Sequence, residues 1–156
     1  MSRRIVVTRT GDDGLVTTQP TDLLGTWLLD REVEDRLADE TREVTGTTTL
    51  VRVADDHVRW SEEGVMRWSG HEVPVERTLD VRRGTDGAWT VHFADGRPFH
   101  PWAVGEQLEH PCAPDHYRGR IDVAADAASW TVTWHSTGPA KDYVLRSRLT
   151  RAADRA

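Results

Sequence analysis

The chain has one cysteine, one lysine and no long apolar run. Cys112, alone, cannot close an internal disulfide, which fits a reducing compartment. No stretch approaches the ~20 apolar residues that a bilayer-spanning helix needs. Near the start, Arg3-Arg4-Ile5-Val6-Val7 offers an apolar patch too short for a signal peptide, so no membrane association and a cytoplasmic location are expected. The 20 basic residues are Lys141 and 19 arginines, interspersed among 26 acidic ones for a net charge of −6. Without a basic stripe to neutralise phosphates, nucleic acid is not expected as a partner. A GC-rich coding bias accounts for arginine replacing lysine, and a bacterial source is the matching expectation.

What is present is an ordinary globular balance, 37% hydrophobic and 29% charged. The 156 residues suit one domain, 1–156, with its core at about 22–151. Seven tryptophans stand out: Trp27, Trp60, Trp68, Trp89, Trp102, Trp130 and Trp134. Rings this large supply much buried area each and suit a fold that lines a cavity.

Short alternating segments dominate the pattern, as in an antiparallel sheet. Trp130-Thr131-Val132-Thr133-Trp134 alternates without a break. Tyr143, Leu145, Ser147 and Leu149 share one face, as do Val73, Val75, Arg77, Leu79 and Val81. Trp89, Val91 and Phe93 form another such face, and Tyr117, Gly119, Ile121 and Val123 a fourth. Segments 44–53, 57–61 and 64–69 are further candidates. Turns are expected at Gly84–Gly87, Asp95-Gly96, Ala125–Ser129 and Gly138-Pro139. Residues 26–37 read equally as a strand or as a helix with Leu29, Val33 and Leu37 four apart; the strands that follow favour the strand. Eight to ten short strands suit an all-β, antiparallel up-and-down barrel, which removes exposed sheet edges and can hold one small ligand. A sandwich is the competing architecture.

Gly25-Thr26-Trp27, opening the first long strand, resembles the Gly-x-Trp signature of lipocalins. That resemblance implies a Trp at the closed end of the barrel, packed on an Arg of the last strand, Arg148 or Arg151 here. Four further segments resemble the motif series of an uncharacterised, mainly actinobacterial, lipocalin-like family. They are Trp27–Val33, Asp95-Gly96-Arg97-Pro98-Phe99-His100, His110–Tyr117 and Gly138-Pro139-Ala140-Lys141-Asp142-Tyr143. The resemblance implies a fold of the lipocalin or fatty-acid-binding type and no particular activity. Ala140 departs from it, standing where a second basic residue would precede Lys141.

Arg31 and Arg77 interrupt otherwise apolar strand faces. An inward guanidinium needs a carboxylate partner or an anionic ligand, because an unpaired buried charge is costly. Both outcomes stay open. Tyr117 and Tyr143 lie on apolar faces and are candidate hydroxyl donors beside them. Trp60, Trp134 and Phe99 are candidate pocket walls, and Lys141 is a candidate cationic anchor or Schiff-base amine. His100 and His110 are candidate acid–base groups, with Asp115 as the orienting carboxylate. His110-x-Cys112-x-x-Asp115-His116 gathers metal-competent side chains in what reads as a proline-stiffened loop, but its spacing matches no strong zinc signature. No cofactor is expected.

Three readings follow. One is binding of a small, partly apolar molecule carrying an anionic group or a carbonyl. Another is a small biosynthetic enzyme (an isomerase, cyclase or hydrolase) using a pocket His with Arg stabilisation. The last is a haem- or metal-binding barrel. A homodimer stays open in all three.

Overall fold

The computed structural model describes residues 18–152. A 3-10 turn, Pro20–Leu23, leads into ten antiparallel strands. They are β1 (Gly25–Asp35), β2 (Glu40–Ala54), β3 (His57–Trp68), β4 (His71–Arg83) and β5 (Trp89–Phe93). β6 (Pro98–Pro101), β7 (Gln107–Cys112), β8 (Asp115–Val123), β9 (Ser129–Gly138) and β10 (Lys141–Arg151) complete the set. The sheet order is β6-β5-β4-β3-β2-β1-β10-β9-β8-β7. The result is an all-β, up-and-down, nearly closed barrel. Its seam lies between β6 and β7, where a side chain replaces the ladder: His110 Nδ1–H donates to the Phe99 carbonyl at 2.9 Å.

Residues 25–35 are strand, not helix. Trp27 and Leu29 are buried and alternate with exposed Leu28, Asp30 and Glu32, a period of two that a helix would scatter around its axis. The expected strands 57–61 and 64–69 are one continuous strand, and Glu62 continues the buried face of Trp60. The stretch 110–116, expected as a stiff loop, lies in a hairpin of β7 and β8. Pro111 is tolerated there because β7 is a sheet edge, where a missing N–H breaks no ladder.

One end of the barrel is plugged. Leu23, Trp27 and Trp130 are essentially inaccessible, each ring contributing on the order of 5 kcal/mol of transfer free energy as an upper bound. Trp27 Nε1 donates to the Leu23 carbonyl at 2.9 Å. Trp27 meets Trp130 edge-on at 5.8 Å, and Trp60 lies 5.4 Å from Trp130. Arg151 stacks over Trp27 at 4.0 Å and donates to the Leu24 carbonyl at 2.8 Å. Of the two arginines that the Gly-x-Trp resemblance left open, Arg151 therefore fills the role. Arg148 points outward.

Two features open the other half. Gly46 and Gly64 face each other across β2 and β3, so close that a methyl group on either would strike backbone atoms of the opposite strand. And β4 pairs with β5 only over Leu79–Arg83. Its first half, His71–Thr78, is paired on one side alone, leaving a lateral window. Pro74 and the exposed Glu72 and Glu76 on that segment discourage pairing with another chain. Among the described residues no helix is long and apolar enough to cross a membrane.

Candidate functional site

The site grows from three inward positions on β1, β3 and β4. In the register, Glu62 lies opposite Thr48 on one side and Arg77 on the other. Arg31 lies opposite Ser147 and Val44. Arg31 Nη2 donates to Glu62 Oε1 at 2.8 Å and Arg31 Nε to Ser147 Oγ at 2.6 Å. Arg77 Nη2 reaches the same Oε1 at 3.3 Å. The other carboxylate oxygen accepts Thr48 Oγ1 at 3.0 Å and Trp60 Nε1 at 3.3 Å. Burial pushes the Glu62 carboxyl up, but Arg31, Arg77 and the hydrogen bonds from Arg31 and Thr48 outweigh it and hold its pKa below the usual carboxylate range.

Side-chain exposure falls from Arg77 (41%) through Arg31 (14%) to Glu62 (5%). Arg77 is the first inward residue of β4 beyond its pairing with β5, so it stands in the lateral window rather than deep inside. The three groups border a cavity of about 180 Å³, shared with Leu29, Val44 and Val75. Glu63 and Glu76 border it from the exposed outer face, where water and salt screen them. Inside, two guanidinium groups share one carboxylate.

An aromatic wall fills the neighbouring space. The register shift between β5 and β6 sets Val91 opposite His100 but His92 opposite Pro98, so Phe99 is the extra residue and joins His100 among the interior rings. Phe99 stacks on Phe93 at 4.5 Å and on Trp134 at 5.0 Å. Trp134 lies across Gly119, where any Cβ would collide with its ring. His100 is 4% exposed and packs against Phe99 at 4.6 Å and Trp134 at 5.2 Å. Its Nδ1–H donates to the Pro101 carbonyl at 2.7 Å. Burial drives its pKa down to about 4; the Pro101 hydrogen bond opposes this, and the Arg77 and His110 charges add to it. His100 is therefore neutral at physiological pH.

Beyond the wall, Tyr143, Ser136, Tyr117 and His110 lie in one register row. Lys141 Nζ sits 3.1 Å from Tyr117 Oη and 3.1 Å from Asp115 Oδ2. The Tyr117 and Asp115 hydrogen bonds raise its pKa to about 12, so Lys141 is held as a cation and not as the free amine that a Schiff base requires.

Several expectations are corrected by this geometry. Tyr117 Oη accepts from Lys141 Nζ rather than serving the arginines, and Tyr143 shares the Tyr117 row rather than the Arg31 row. Asp115 pairs with Lys141 and is wedged against Gly138, so it orients neither His100 nor His110, both of which are fixed by backbone carbonyls. His110 faces inward, while His116 turns outward to Glu109 at 2.9 Å and Cys112 is exposed. His116 leaves the face shared by His110, Cys112 and Asp115, because successive strand residues point to opposite sides. Among the described residues no cluster of three or more metal-competent side chains forms.

Glu62, Thr48 and Ser147 are site residues that the sequence reading did not single out. Glu62 had a signal: it shares a two-residue alternation with Trp60, Gly64 and Met66. Thr48 and Ser147 had none beyond strand parity.

Residues 23–151 match the model of a family described as a family of unknown function, DUF6314. No functionally curated protein matches the chain. Among solved structures, an S-type phycobiliprotein lyase, CPES from Guillardia theta, is similar with a TM-score of 0.62 at 15% identity, covering 85% of this chain and 89% of that one. A redesigned β-barrel, mFAP1, bound to DFHBI, gives a TM-score of 0.46 at 16% identity over 85% of this chain and 97% of its own. The first likeness establishes the shared barrel fold.

Proposed function

We propose, from the premise that this chain belongs to the DUF6314 family of unknown function, that it binds a small, partly apolar anion inside its barrel. One observation carries the reading: two inward cations, Arg31 and Arg77, share a single buried carboxylate beside a cavity. Two guanidinium groups facing one inward carboxylate favour an anion over a cation on the inner side of the cavity, whose outer rim carries Glu63 and Glu76. Guanidinium groups also present paired donors that match a carboxylate or phosphate. Oε1 and Oε2 of Glu62 are occupied by the four donors already named, whereas Arg77 at the window uses only Nη2 in hydrogen bonds among the described residues.

The ligand is small. At ~30 Å³ per water in the liquid, 180 Å³ corresponds to about six waters, the space of one substituted ring.

The test uses benzoate as probe and benzamide as its neutral analogue. Wild-type protein should show a benzoate-dependent rise in Tm that benzamide does not give. A variant with the ionic cluster replaced, Arg31→Met with Glu62→Leu and Arg77→Met, should fold and lose the response, because well-packed apolar replacements of such clusters are commonly tolerated. Equal responses to benzoate and benzamide, or retention of benzoate by the folded charge-free variant, would refute the anion site.

A further inference from the structure

The cavity beside Arg77 has a charge sum as well as a shape. Arg31 is pinned twice, with Nε on Ser147 Oγ at 2.6 Å and Nη2 on Glu62 Oε1 at 2.8 Å. Arg77 reaches the same oxygen with Nη2, at 3.3 Å. Glu62 therefore cancels one of two arginines, and the inner side of the cavity keeps one positive charge. All three groups border the same space, together with Leu29, Val44 and Val75, so a ligand there meets the whole cluster.

The outer rim carries the opposite sign. Glu63 and Glu76 stand directly opposite each other in the β3–β4 register and border the same cavity. Like charges so placed repel each other, and solvent screens them without removing them. A single negative charge entering beside Arg77 leaves the inner groups neutral. A second charge on the same ligand finds no cation left, and it lies between Glu62 and the rim. The desolvation cost of an ion grows with the square of its charge, whereas its attraction to fixed charges grows only in proportion. The apolar walls of Leu29, Val44 and Val75 offer that second charge no hydrogen bond.

We propose that the site is matched to one negative charge: it takes small monoanions, such as monocarboxylates and sulfonates, and rejects dianions, such as phosphate monoesters and dicarboxylates. This rests on the anion reading above. Glu62 is the specificity residue, because it sets the ligand's charge through the sum it leaves on Arg31 and Arg77.

Benzenesulfonate and phenylphosphonate are the probes, titrated calorimetrically against wild type. They share a ring and a tetrahedral head, and in mildly alkaline buffer they differ by one charge. Wild type should then bind benzenesulfonate at least about tenfold tighter, the scale of one unfavourable like-charge contact. In mildly acidic buffer the phosphonate regains one proton, and its affinity should rise to that of benzenesulfonate. The sulfonate stays a monoanion throughout and controls for titration of the protein. Glu62→Gln raises the inner sum to two and should let alkaline phenylphosphonate match or overtake benzenesulfonate. If that variant does not fold, Arg31→Met with Glu62→Leu decides: it keeps the sum at one and should keep the wild-type preference. Equal or tighter binding of alkaline phenylphosphonate by wild type, an unchanged preference in folded Glu62→Gln, or a lost one in the double variant overturns the charge match while leaving the anion site standing. So does binding of benzoate with neither tetrahedral anion, since shape would then select. Failure of benzoate and both probes to bind wild type overturns the anion site itself, and this inference with it.

Discussion

Glu62→Gln is the most direct probe of the interior, because it changes one charge and almost no volume. In the native barrel Glu62 is 5% exposed and accepts from Arg31, Arg77, Thr48 and Trp60. Glutamine offers one acceptor oxygen and puts an NH₂ donor where donors already converge. Arg31, 14% exposed, is left as an uncompensated interior cation. Removing one partner of a buried ion pair costs roughly 3–5 kcal/mol. Arg77 moderates this, since at 41% exposure it can turn toward water, so the low end, about 3 kcal/mol, is the expectation. For a chain near this size each kcal/mol shifts Tm by about 2–4 °C, giving a fall of about 6–12 °C. Thermal unfolding followed by circular dichroism measures it. The same variant should respond more strongly to benzoate than wild type, because the anion now replaces the missing carboxylate. A Tm within about 1 °C of wild type would mean that Glu62 carries no unique counter-charge role, and the charge argument would fail with it.

Two more outcomes follow from the closed end and the aromatic wall. Arg151→Ala removes both the stack on Trp27 at 4.0 Å and the bond to the Leu24 carbonyl; a loss of about 1–2 kcal/mol in urea unfolding is expected, and an unchanged midpoint would deny that this contact seals the barrel. His100 should make stability pH-dependent, since its folded pKa of about 4 lies below the ordinary 6.5. Between those values the unfolded chain binds the extra proton. The contribution is complete above pH 6.5 and is lost as pH falls toward 4, by up to about 3 kcal/mol. Glu62 and Asp80, both depressed below their ordinary values, act only at the acid end, where their stabilisation is lost as pH falls further. The groups facing His100 are Arg77 and His110, so the wild-type minus His100→Phe difference, read from urea midpoints between pH 7 and pH 5, isolates the ring. A difference that does not change with pH would contradict the buried neutral histidine.

The barrel was legible because its cause is local. A period-two alternation such as Trp130-Thr131-Val132-Thr133-Trp134 specifies a half-buried strand before any partner is known, and many such strands in one chain build a barrel or a sandwich. Strands lacking that alternation were not legible. Pro98–Pro101 and Gln107–Cys112 contain prolines that read as loop, and they form strands only because the sheet ends there and requires few N–H donors. The split of His57–Trp68 into two segments has a similar origin: Glu62-Glu63 looks like a polar interruption until the barrel turns Glu62 inward. Arg31 and Arg77 were recognisable as anomalies on apolar faces. Their common partner was not, because the register that sets Glu62 between Thr48 and Arg77 is a property of the assembled sheet. The Tyr117–Lys141–Asp115 cluster joins residues 24 positions apart for the same reason.

The placement of charge in this interior argues for a ligand rather than for stability. A buried ion cluster is a poor stabiliser compared with apolar side chains of similar volume, and here the cluster is unbalanced as well. The surrounding choices all move in the direction that keeps space open. Gly46, Gly64 and Gly119 bring backbone and rings into contact without filling the cavity. β4 runs past the end of β5 and leaves Arg77 at a window. The closed end, by contrast, is packed with Trp27, Trp60, Trp102 and Trp130 and sealed by Arg151. One half of the barrel thus supplies stability and the other tolerates an unbalanced ionic cluster beside a void. That combination is costly to an empty protein, and the cost falls when a small anion enters.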